Sequence, residues 1–552
     1  MTYEPYDWAD GPAGGTPITA ERLEHLESQY QAVTDDIDDP GTPLGSTVAA
    51  AIADQVAGGL VPVTPQPRTV VGTIPAGEFG WLAEYGISQV RITTARDGSA
   101  RGSVGITPET LFDRYSTART APGTTFYVNV GGPQTVNGVA WAAGSDAAAG
   151  TSEATAFQSI WKAIAAVNTA APAAGGRIYV LAGNYVYRNS MNNVPSTNPL
   201  GSAVVDIALI AVGGKVTDAY AITLNPPTIH PTYTNLYQFN FATTGEVARV
   251  VIDKSYVDEF GNARRYRRAS SVDVANTTPG TFWPSSTGTS ALVNPFPGAP
   301  MNTSTVVVYG PASRIVRDIG FYLGGATASD SWEFLGGNVA NLILSPSAAM
   351  AARKVAVISR ATGKYAGRDS NDANSFAAAV NWRGLLACFD CVGVAPDRDA
   401  FNMHTANPNP SRLLTVNCKS FDTGQGPATG AIVTSRNGYT LHENAEGVDI
   451  AGDYRLSRGG TVHNINTSKL YALGTLAADD LGDGDAGGTT PPTQYKAGDT
   501  AQIWLERCLA SGDADNLAYA ADAAAAIRLI DPLPTPLPSS GPVTVLARGD
   551  TE

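Results

Sequence analysis

The sequence predicts a mainly β protein, with an elongated body of short strands behind a helical leader. Three observations predict this fold class. Charged residues make up only 16% of the 552-residue chain, against roughly 25% in ordinary globular domains. Glycine and proline, which favour turns over long helices, number 58 and 36. Short apolar runs recur along most of the chain, although single compact domains mostly run about 100–200 residues.

The composition excludes several classes of protein. A net charge of −14 repels nucleic acid, so no nucleic-acid partner is expected. Membrane insertion is not expected either, because no apolar run reaches the roughly 18 residues of a membrane span. The acidic N-terminal segment lacks the features of a secretory signal. The cysteines, at positions 388, 391, 418 and 508, are too sparse for a disulfide framework.

Residues 1–40 are predicted to form the helical leader. Thr19 can cap the helix and Pro40 ends it. Apolar residues alternate at steps of three and four, the spacing of a coiled-coil seam: Leu23, Leu26, Tyr30, Val33 and Ile37. Two heptads are fewer than the roughly three or four of a stable coil. The seam therefore either docks on a larger assembly or is held by an oligomer, unless the leader is one amphipathic helix that packs on its own chain.

Residues 41–122 are predicted to be a small connector. A short helix begins after Ser46 and ends at Gly58. Alternating apolar residues over 90–94 then indicate β-strands. The end of the connector, near Pro122, is placed by turn chemistry.

The main body is predicted over residues 123–530, with a helix over 155–170 that covers its first coil. Thr155 and Gln158 have the spacing of a capping box, and glycines at 175 and 176 end the helix. One face of the helix is apolar, formed by Phe157, Ile160, Trp161, Ile164 and Val167.

Beyond this helix the sequence indicates a solenoid without a literal repeat. Apolar runs begin near residues 385, 413 and 431, about 18–28 residues apart, with turn-forming residues between them. In a solenoid each coil contacts only its neighbours, so a long chain needs no single globular core.

The C-terminal part departs from this pattern. Asp479 and Asp480 lie in a glycine-rich loop that we expect to be solvated. An alanine-rich helix is predicted near 518–527, and residues 531–552 are predicted to be a proline-rich extension, with one last strand over 542–546.

Four motifs near the start of the body occur in a particular order: Gly144-Ser145-Asp146, Ala156-Phe157, Gly175-Gly176, and a strand that ends in Val180, Gly183 and Tyr185. This stretch resembles the first coil of a pectate-lyase-like right-handed parallel β-helix, as found in phage tailspikes. The sequence departs from that pattern at Ala182, where proline is usual. The resemblance implies a right-handed parallel β-helix for the body.

The leader segment over residues 14–27 resembles the N-terminal segment of minor tail proteins from phages of actinobacteria. This resemblance implies a homotrimeric virion protein, made in the host cytoplasm and placed at the tail tip or baseplate. Its N-terminus would attach to other tail or baseplate proteins, and its shaft would contact host cell-wall glycan during adsorption.

Three of the five histidines lie between residues 404 and 463, among carboxylates. If Leu441 and Val462 point into a coil, strand alternation turns His442 and His463 outward. These histidines are 21 residues apart, close to one coil, so we expect them on adjacent rungs roughly 4.8 Å apart. With nearby aromatic residues they form the candidate glycan contacts: Trp382, His404, Tyr439, His442, Tyr454 and His463.

Carboxylates in the same stretch are candidates for catalysis: Asp397, Asp399, Glu443, Asp449 and Asp453. Glycosidases use two carboxyl groups about 5–9.5 Å apart, and Asp397 and Asp399 on one extended strand would lie about 7 Å apart. Almost any acid pair with this spacing would fit. A glycan-contact surface, a polysaccharide depolymerase of the hydrolase or lyase type, and polar turns in a purely structural baseplate component therefore all stay open, and we expect binding rather than cleavage.

No metal or cofactor is expected. Cys388 and Cys391 have a metal-ligand spacing, but strand alternation predicts Phe389 and Cys391 inward and Cys388 outward. Structural zinc needs further cysteine or histidine ligands, so Cys391 and Cys418 are interpreted as small buried residues.

The basic run over residues 264–268 resembles an anion site. A two-residue hairpin at Gly261 would pair Asp258 with Arg265 and Glu259 with Arg264. The charge of the run is then expected to be largely internal.

Overall fold

The computed structural model describes residues 68–546 apart from 76, 95–99, 187–190, 192–199, 202, 259–260, 311–313, 338–339, 346–353, 368–374, 381, 406–409, 425–435, 483–491, 512–516 and 532–538. Three predicted features lie outside the described residues: the leader seam, the helix after Ser46, and the last residues of the extension. The seam comprises Leu23, Leu26, Tyr30, Val33 and Ile37.

The protein is mainly β, and its body consists of parallel strands stacked in three long sheets, here named S1, S2 and S3. Each strand pairs with the matching strand of the next coil, as Lys354–Ser359 pairs with Gly384–Phe389 and that strand with Arg412–Val416. This stacking is consistent with the predicted β-helix. The strands of S1 are Thr124–Val128, Gly176–Val186, Ile207–Ala219, Phe321–Gly325, Lys354–Ser359, Gly384–Phe389, Arg412–Val416, Glu446–Ile450, Lys469–Leu473, Gln502–Glu506, Ala526–Ile530 and Val543–Leu546.

The two long strands Gly176–Val186 and Ile207–Ala219 continue from S1 into S2. The other strands of S2 are Ser331–Leu335, Ala361–Lys364, Val392–Val394, Lys419–Phe421, Asp453–Arg455, Leu476–Ala478 and Leu509–Ser511. The strands of S3 are Ile315–Val316, Ala340–Leu344, Ser375–Val380, Phe401–His404, Tyr439–Leu441, Val462–Asn464, Thr493–Ala497, Leu517–Ala521 and Ser539–Ser540.

Side chains alternate between the interior of the coils and the outer face of S1. On the strand Gly384–Phe389, Leu386 and Cys388 belong to the interior core, whereas Leu385 and Phe389 pack on the outer face. This period-two pattern is what a strand buried on both faces requires.

One corner of each coil is turned by a residue in the left-handed region. At the corner between S1 and S2, φ is 54° at Arg360, 51° at Asp390 and 55° at Asn417. The N–H of each donates to the last carbonyl of the next S1 strand, as Arg360 does to Phe389 at 2.9 Å.

This corner corrects the predicted placement of the cysteines. Because Asp390 turns the chain in the left-handed region, the strand alternation does not continue from Cys388 to Cys391. Both cysteines lie in the interior core with Cys418, and Phe389 packs outside. The prediction of an outward Cys388 and an inward Phe389 is therefore wrong.

A helix packs on the first coil, but it spans Ile160–Ala170 rather than 155–170. The capping box forms between Ser152 and Thr155, in a separate short 3₁₀ helix, Glu153–Thr155. Asp146 accepts hydrogen bonds from the N–H groups of Gln158 and Ser159 at 3.0 and 2.9 Å, just before the helix begins. Val167 contacts the strand at Gly176, where a Cβ would lie 2.5 Å from Val167 Cγ1. A small hairpin of strands Gln134–Val136 and Val139–Trp141 precedes these helices.

The described part of the connector lies along the outer face of S1. It contains the strands Arg68–Val71, Arg91–Thr94 and Ala100–Ser103 and the helices Trp81–Glu84 and Pro108–Asp113. It runs backwards over the coils. The N–H of Thr73 donates to Glu506 at 2.6 Å, and that of Gly102 to Asn417 at 2.6 Å. Nearer the first coil, Tyr322 donates to Glu109 at 3.0 Å.

An eight-stranded, mostly antiparallel sheet, which is not predicted from the sequence, interrupts the coils between Ile207–Ala219 and Phe321–Gly325. Its strands are Ala221–Ile222, Thr228–Ile229, Tyr237–Asn240, Val250–Val257, Ala263–Arg268, Thr281–Pro284, Ser290–Asn294 and Val306–Tyr309, accompanied by the helix Val272–Thr277. It has a core of its own around Phe239, Tyr266 and Phe282. The body predicted over 123–530 is therefore not one uninterrupted stack.

The predicted hairpin register within this sheet is wrong. The strands pair Val257 with Ala263 and Asp253 with Arg264 across an irregularity, so Arg264 forms its ion pair with Asp253, at 3.1 Å. Arg265 instead forms an ion pair with Asp397 of the coils. Glu259 lies outside the described residues.

At the C-terminal side, the helix predicted near 518–527 is absent from the structure. Leu517–Ala521 joins S3 and Ala526–Ile530 joins S1. The last strand, Val543–Leu546, pairs with Ala526–Ile530. Stacking therefore continues past residue 530, into the segment predicted as an extension. No helix of the described residues is long and apolar enough to cross a bilayer.

Candidate functional site

Three of the predicted glycan contacts are interior residues. The side chains of Trp382, Tyr439 and Tyr454 are 0% exposed and belong to the interior core of the coils. Tyr439 and Tyr454 pack against each other, with ring centroids 5.7 Å apart. A sugar cannot stack on these rings, and the structure does not support the predicted role.

Asp449, a predicted catalytic candidate, is also interior. Its carboxylate accepts hydrogen bonds from the hydroxyls of Thr415 at 2.6 Å, Tyr454 at 2.7 Å and Thr475 at 2.5 Å. Burial raises the pKa of Asp449, and these hydrogen bonds act against that rise. The residue holds three coils together from inside and has no access to a glycan.

The acid pair Asp397 and Asp399 is engaged in internal contacts. Asp397 is 5% exposed and forms its ion pair with Arg265. Asp399 is 0% exposed and accepts hydrogen bonds from the side chain of Asn402 and, at 2.8 Å, from the N–H of Asn437. Asp453 is more accessible, but its carboxylate is paired with Arg455 at 2.6 Å. The structure does not present these acids as a catalytic pair.

Three of the remaining predicted residues, His404, His442 and Glu443, form a cluster at the end of two S3 strands. Register pairs Met403 with Leu441, which places His404 beside His442 on neighbouring coils. Their rings stack with centroids 3.8 Å apart and planes 11° apart. Glu443 adds a carboxylate, with Oε1 3.4 Å from Nδ1 of His404.

His463 does not join this cluster, which corrects the predicted ladder of His442 and His463. Register pairs His463 with Thr440 instead, two residues away from His442. His463 does point out of the interior next to Val462, as predicted, but only 7% of it is exposed.

The electrostatics of the cluster differ between its members. Burial is the main reason why the pKa of His442 falls to about 3, and the neighbouring His404 and Arg398 lower it further against the effect of Glu443. Burial raises the pKa of Glu443, but hydrogen bonds from His404 and from the N–H of Thr405 outweigh it and hold this pKa below its ordinary value. The cluster therefore combines a neutral His442 with an ionised carboxylate at neutral pH.

Acidification should reduce stability through His463. Burial, assisted by Lys496 and His442, lowers the pKa of His463 to about 3, from an ordinary 6.5. Between these values the unfolded chain binds the extra proton, so the stabilisation is complete above pH 6.5 and declines as the pH falls, by about 1.4 kcal/mol per unit. In His463→Asn the free energy of unfolding should depend less steeply on pH, by the contribution of one proton. Urea unfolding at pH 7, 6 and 5 checks it, and equal slopes for the two proteins would contradict it.

Asp480, predicted to be solvated, is 3% exposed. Burial raises its pKa to about 7, against hydrogen bonds from the N–H groups of Gly482 and Gly460. Asp480 is therefore a buried acid, and the prediction that it is solvated is wrong.

A cleft of about 310 Å³ lies between the connector and the first coils. Its polar and aromatic lining comes from five distant segments: Glu109, Arg119, Arg177, Tyr179, Tyr322, Thr327 and Arg360. Sequence reasoning missed this site because its residues share no local motif. The sequence contained one indication of the site. Strand alternation over 177–180 places Arg177 and Tyr179 on the face opposite Ile178 and Val180, that is, on the outer face of the sheet.

The charged groups of the cleft are fixed by contacts with its walls. The guanidinium of Arg177 lies 5.0 Å from the ring centroid of Tyr179 and donates to the carbonyl of Arg119 at 2.8 Å. Arg119 forms an ion pair with Asp113, and Arg360 lies 3.9 Å from Glu109.

A half-buried aromatic surface continues from the cleft. The ring of Tyr127 lies 5.5 Å from that of Tyr179 and 5.7 Å from that of Trp141, measured between centroids. Tyr127 and Tyr179 keep part of their surface exposed, whereas Trp141 is buried beneath them. The arrangement offers ring faces next to charged hydrogen-bond donors.

Comparisons with known proteins give little further information. No family model matches the chain, and no curated protein matches it. A solved structure described as a glycoside hydrolase is similar over 78% of this chain and 97% of its own, at 8% identity and a TM-score of 0.37. The tailspike of Pseudomonas phage phi297 is similar over 70% of this chain and 68% of its own, at 12% identity and a TM-score of 0.20. At such TM-scores neither likeness carries an argument about this protein.

Proposed function

We propose that this protein is a tail fibre or tailspike of a virion, and that the cleft between its connector and its first coils binds a host-envelope glycan. One observation carries the binding proposal: the cleft brings tyrosine rings and three arginines together around a volume of about 310 Å³. Ligand sites are commonly clefts of roughly 300–1,000 Å³ with a few placed polar groups, and this volume suits one or two sugar rings.

The lining has the chemistry that a sugar needs. The apolar face of a sugar ring can pack on Tyr179, because tyrosine presents an apolar ring with a polar edge. The hydroxyl groups of the sugar can accept hydrogen bonds from the guanidinium groups of Arg177 and Arg360. The lining has three arginines and one carboxylate, Glu109, and Asp113 pairs with one of these arginines, Arg119. The arginines remain in excess, so a glycan with acidic groups is favoured in an otherwise acidic chain.

Binding is better supported than cleavage. Hydrolysis of a glycosidic bond uses two carboxyl groups, and Glu109 is the one carboxylate among the described residues that line the cleft. Glu109 already accepts a hydrogen bond from Tyr322. Depolymerase activity stays a prediction, and incubation with envelope glycans followed by assays for reducing ends and unsaturated sugars tests it.

The virion assignment rests on the resemblances of the leader and of the first coil. With them we propose a right-handed parallel β-helix, a homotrimeric state and N-terminal attachment to a tail or baseplate. The stacked parallel strands of S1, S2 and S3 support the β-helix part of this proposal. Size-exclusion chromatography with light scattering tests the homotrimer, and a stable monomer at micromolar concentration would contradict it.

Tyr179→Leu should weaken glycan binding at least about tenfold, because it removes the ring surface and the hydroxyl, a loss worth roughly 1.4 kcal/mol or more. The measurement is binding of fluorescent cell-wall glycan fragments to the purified full-length protein. Tyr237→Leu, which changes a half-buried tyrosine of the inserted sheet, is the matched control and should bind like wild type. Equal affinity of Tyr179→Leu and wild type would contradict the proposed site.

A further inference from the structure

Two coils meet at a cluster of metal-ligand side chains on the outer edge of S3. One ligand atom from each of His404, His442 and Glu443 lies within 4.8 Å of the other two. His404 ends the strand Phe401–His404 and His442 directly follows the strand Tyr439–Leu441, and the parallel pairing of these strands places the two histidines side by side. The cluster is therefore built by the register of the coils rather than by one loop.

Glu443 is held in place by the corner that it occupies. Its φ is 51°, and it begins a ladder in which each corner side chain accepts the N–H of the corner before it. Asn466 accepts from Glu443 at 3.1 Å, Asp499 from Asn466 at 3.2 Å, and Asp522 from Asp499 at 3.0 Å. The carboxylate of Glu443 makes the same contact with Thr405, whose N–H donates to Oε2 at 2.9 Å.

The ladder accounts for the position of Oε2 of Glu443, which accepts the N–H of Thr405. It does not account for the position of Oε1. Glutamate is one methylene longer than the asparagine and aspartates that follow it, and the extra length brings Oε1 towards the imidazole of His404. A structural corner needs only the contact to Thr405. The second oxygen is directed at the histidine pair.

The imidazole of His442 also has unused ligand capacity. Nε2 of His442 is buried and has no hydrogen-bond partner among the described residues. A buried ring nitrogen without a partner is costly, so a ligand at this position would relieve that cost.

We propose that His404, His442 and Glu443 bind a divalent transition-metal ion of the zinc class. Two imidazoles and one carboxylate are the protein ligands of open zinc sites and of facial-triad iron sites. Zinc–ligand bonds of about 2.0–2.2 Å require the ligand atoms, which now lie within 4.8 Å of one another, to approach. The two rings, whose planes are 11° apart, must also rotate out of their stacked arrangement so that a nitrogen of each points at the ion. Thr405 would then orient the bound carboxylate from outside the ligand set, as metal sites usually require.

The site would join two coils and leave positions open to water or to a further ligand. Arg398, whose charge also acts on His442, opposes a cation here, so we expect it to weaken metal binding. The sequence-based expectation of no metal considered the motif of Cys388 and Cys391 and found no paired histidines to complete it, whereas the strand register brings His404 and His442 together.

Titration of the chelator-treated full-length protein with Zn²⁺ tests the proposal. Isothermal titration calorimetry should give one ion per chain, and Co²⁺ in its place should give visible absorption bands of low-symmetry coordination. His404→Asn and Glu443→Gln should each weaken Zn²⁺ binding at least about tenfold, since even residues that only support ligands contribute about that much.

Matched variants separate this site from adventitious binding. His230→Asn changes a half-buried histidine of the inserted sheet, and His463→Asn changes the neighbouring coil, so both should bind Zn²⁺ like wild type. Unfolding midpoints measured without metal show that each variant is folded. Absence of a one-to-one site in wild type, or equal affinity in His404→Asn and wild type, would overturn the proposal.

Discussion

Replacing Arg314 with methionine should lower the free energy of unfolding by about 3–5 kcal/mol, because it removes the positive charge that is paired with a buried carboxylate. The side chains of Arg314 and Asp218 are both 0% exposed, and Nε lies 2.5 Å from Oδ1. The same guanidinium donates to the carbonyls of Gly336 at 3.0 Å and Asn341 at 3.2 Å. Urea unfolding followed by circular dichroism measures the loss.

The position of this ion pair explains the size of the effect. Asp218 lies just before the inserted sheet and Arg314 just after it, so the pair closes the neck where the chain leaves the coils and returns. Arg101→Met, at an exposed pair with Asp390 whose side chains are 76% and 36% exposed, is the control and should cost under about 1 kcal/mol. Similar losses for the two variants would show that the buried pair has no special role.

Trp382→Ala should cost about 3–5 kcal/mol of stability, the usual result of removing a large side chain from a packed core. Trp382 is 0% exposed in the interior of the coils. Its carbonyl accepts a hydrogen bond from Ser411 at 2.6 Å, so the backbone is anchored even when the ring is removed. Urea unfolding measures the effect, and Trp382→Phe should recover most of the stability.

The same variant separates a structural role from glycan contact. Once folded, Trp382→Ala should bind envelope glycan with the affinity of wild type, because the ring never reaches the surface. Tyr256→Ala, at a side chain that is 50% exposed, should change stability by about 0.5 kcal/mol or less. Lost glycan binding with unchanged stability would restore Trp382 as a contact residue.

Period-two patterns and turn residues are enough to predict stacked strands and the helix near the first coil. The inserted sheet escapes prediction because its antiparallel strands look locally like those of the coils. The corners between S1 and S2 are not predicted either, because Arg360, Asp390 and Asn417 are different residue types and none of them indicates a left-handed turn by itself. Because Asp390 interrupts the alternation, an inward or outward assignment cannot be carried across this corner from Cys388 to Cys391.

The candidate site shows the same limit at longer range. His442 lies 21 residues before His463 and 38 residues after His404, and the shorter spacing suggested the wrong neighbour. Coil lengths vary because loops of different size leave the stack, so spacing alone does not give the register. Polarity identified the histidines and Glu443, but only the strand pairing shows which of them meet.

The backward course of the connector has a mechanical consequence. Its first described residues contact the coil of Glu506, and its last contact the coil of Tyr322, so the segment acts as a strap across many rungs. A force applied at the N-terminal side of the connector loads its contacts with all of these coils at the same time, in shear. The coils are therefore not pulled away from the stack one after another. A protein pulled from that side should therefore yield at high force and in one step.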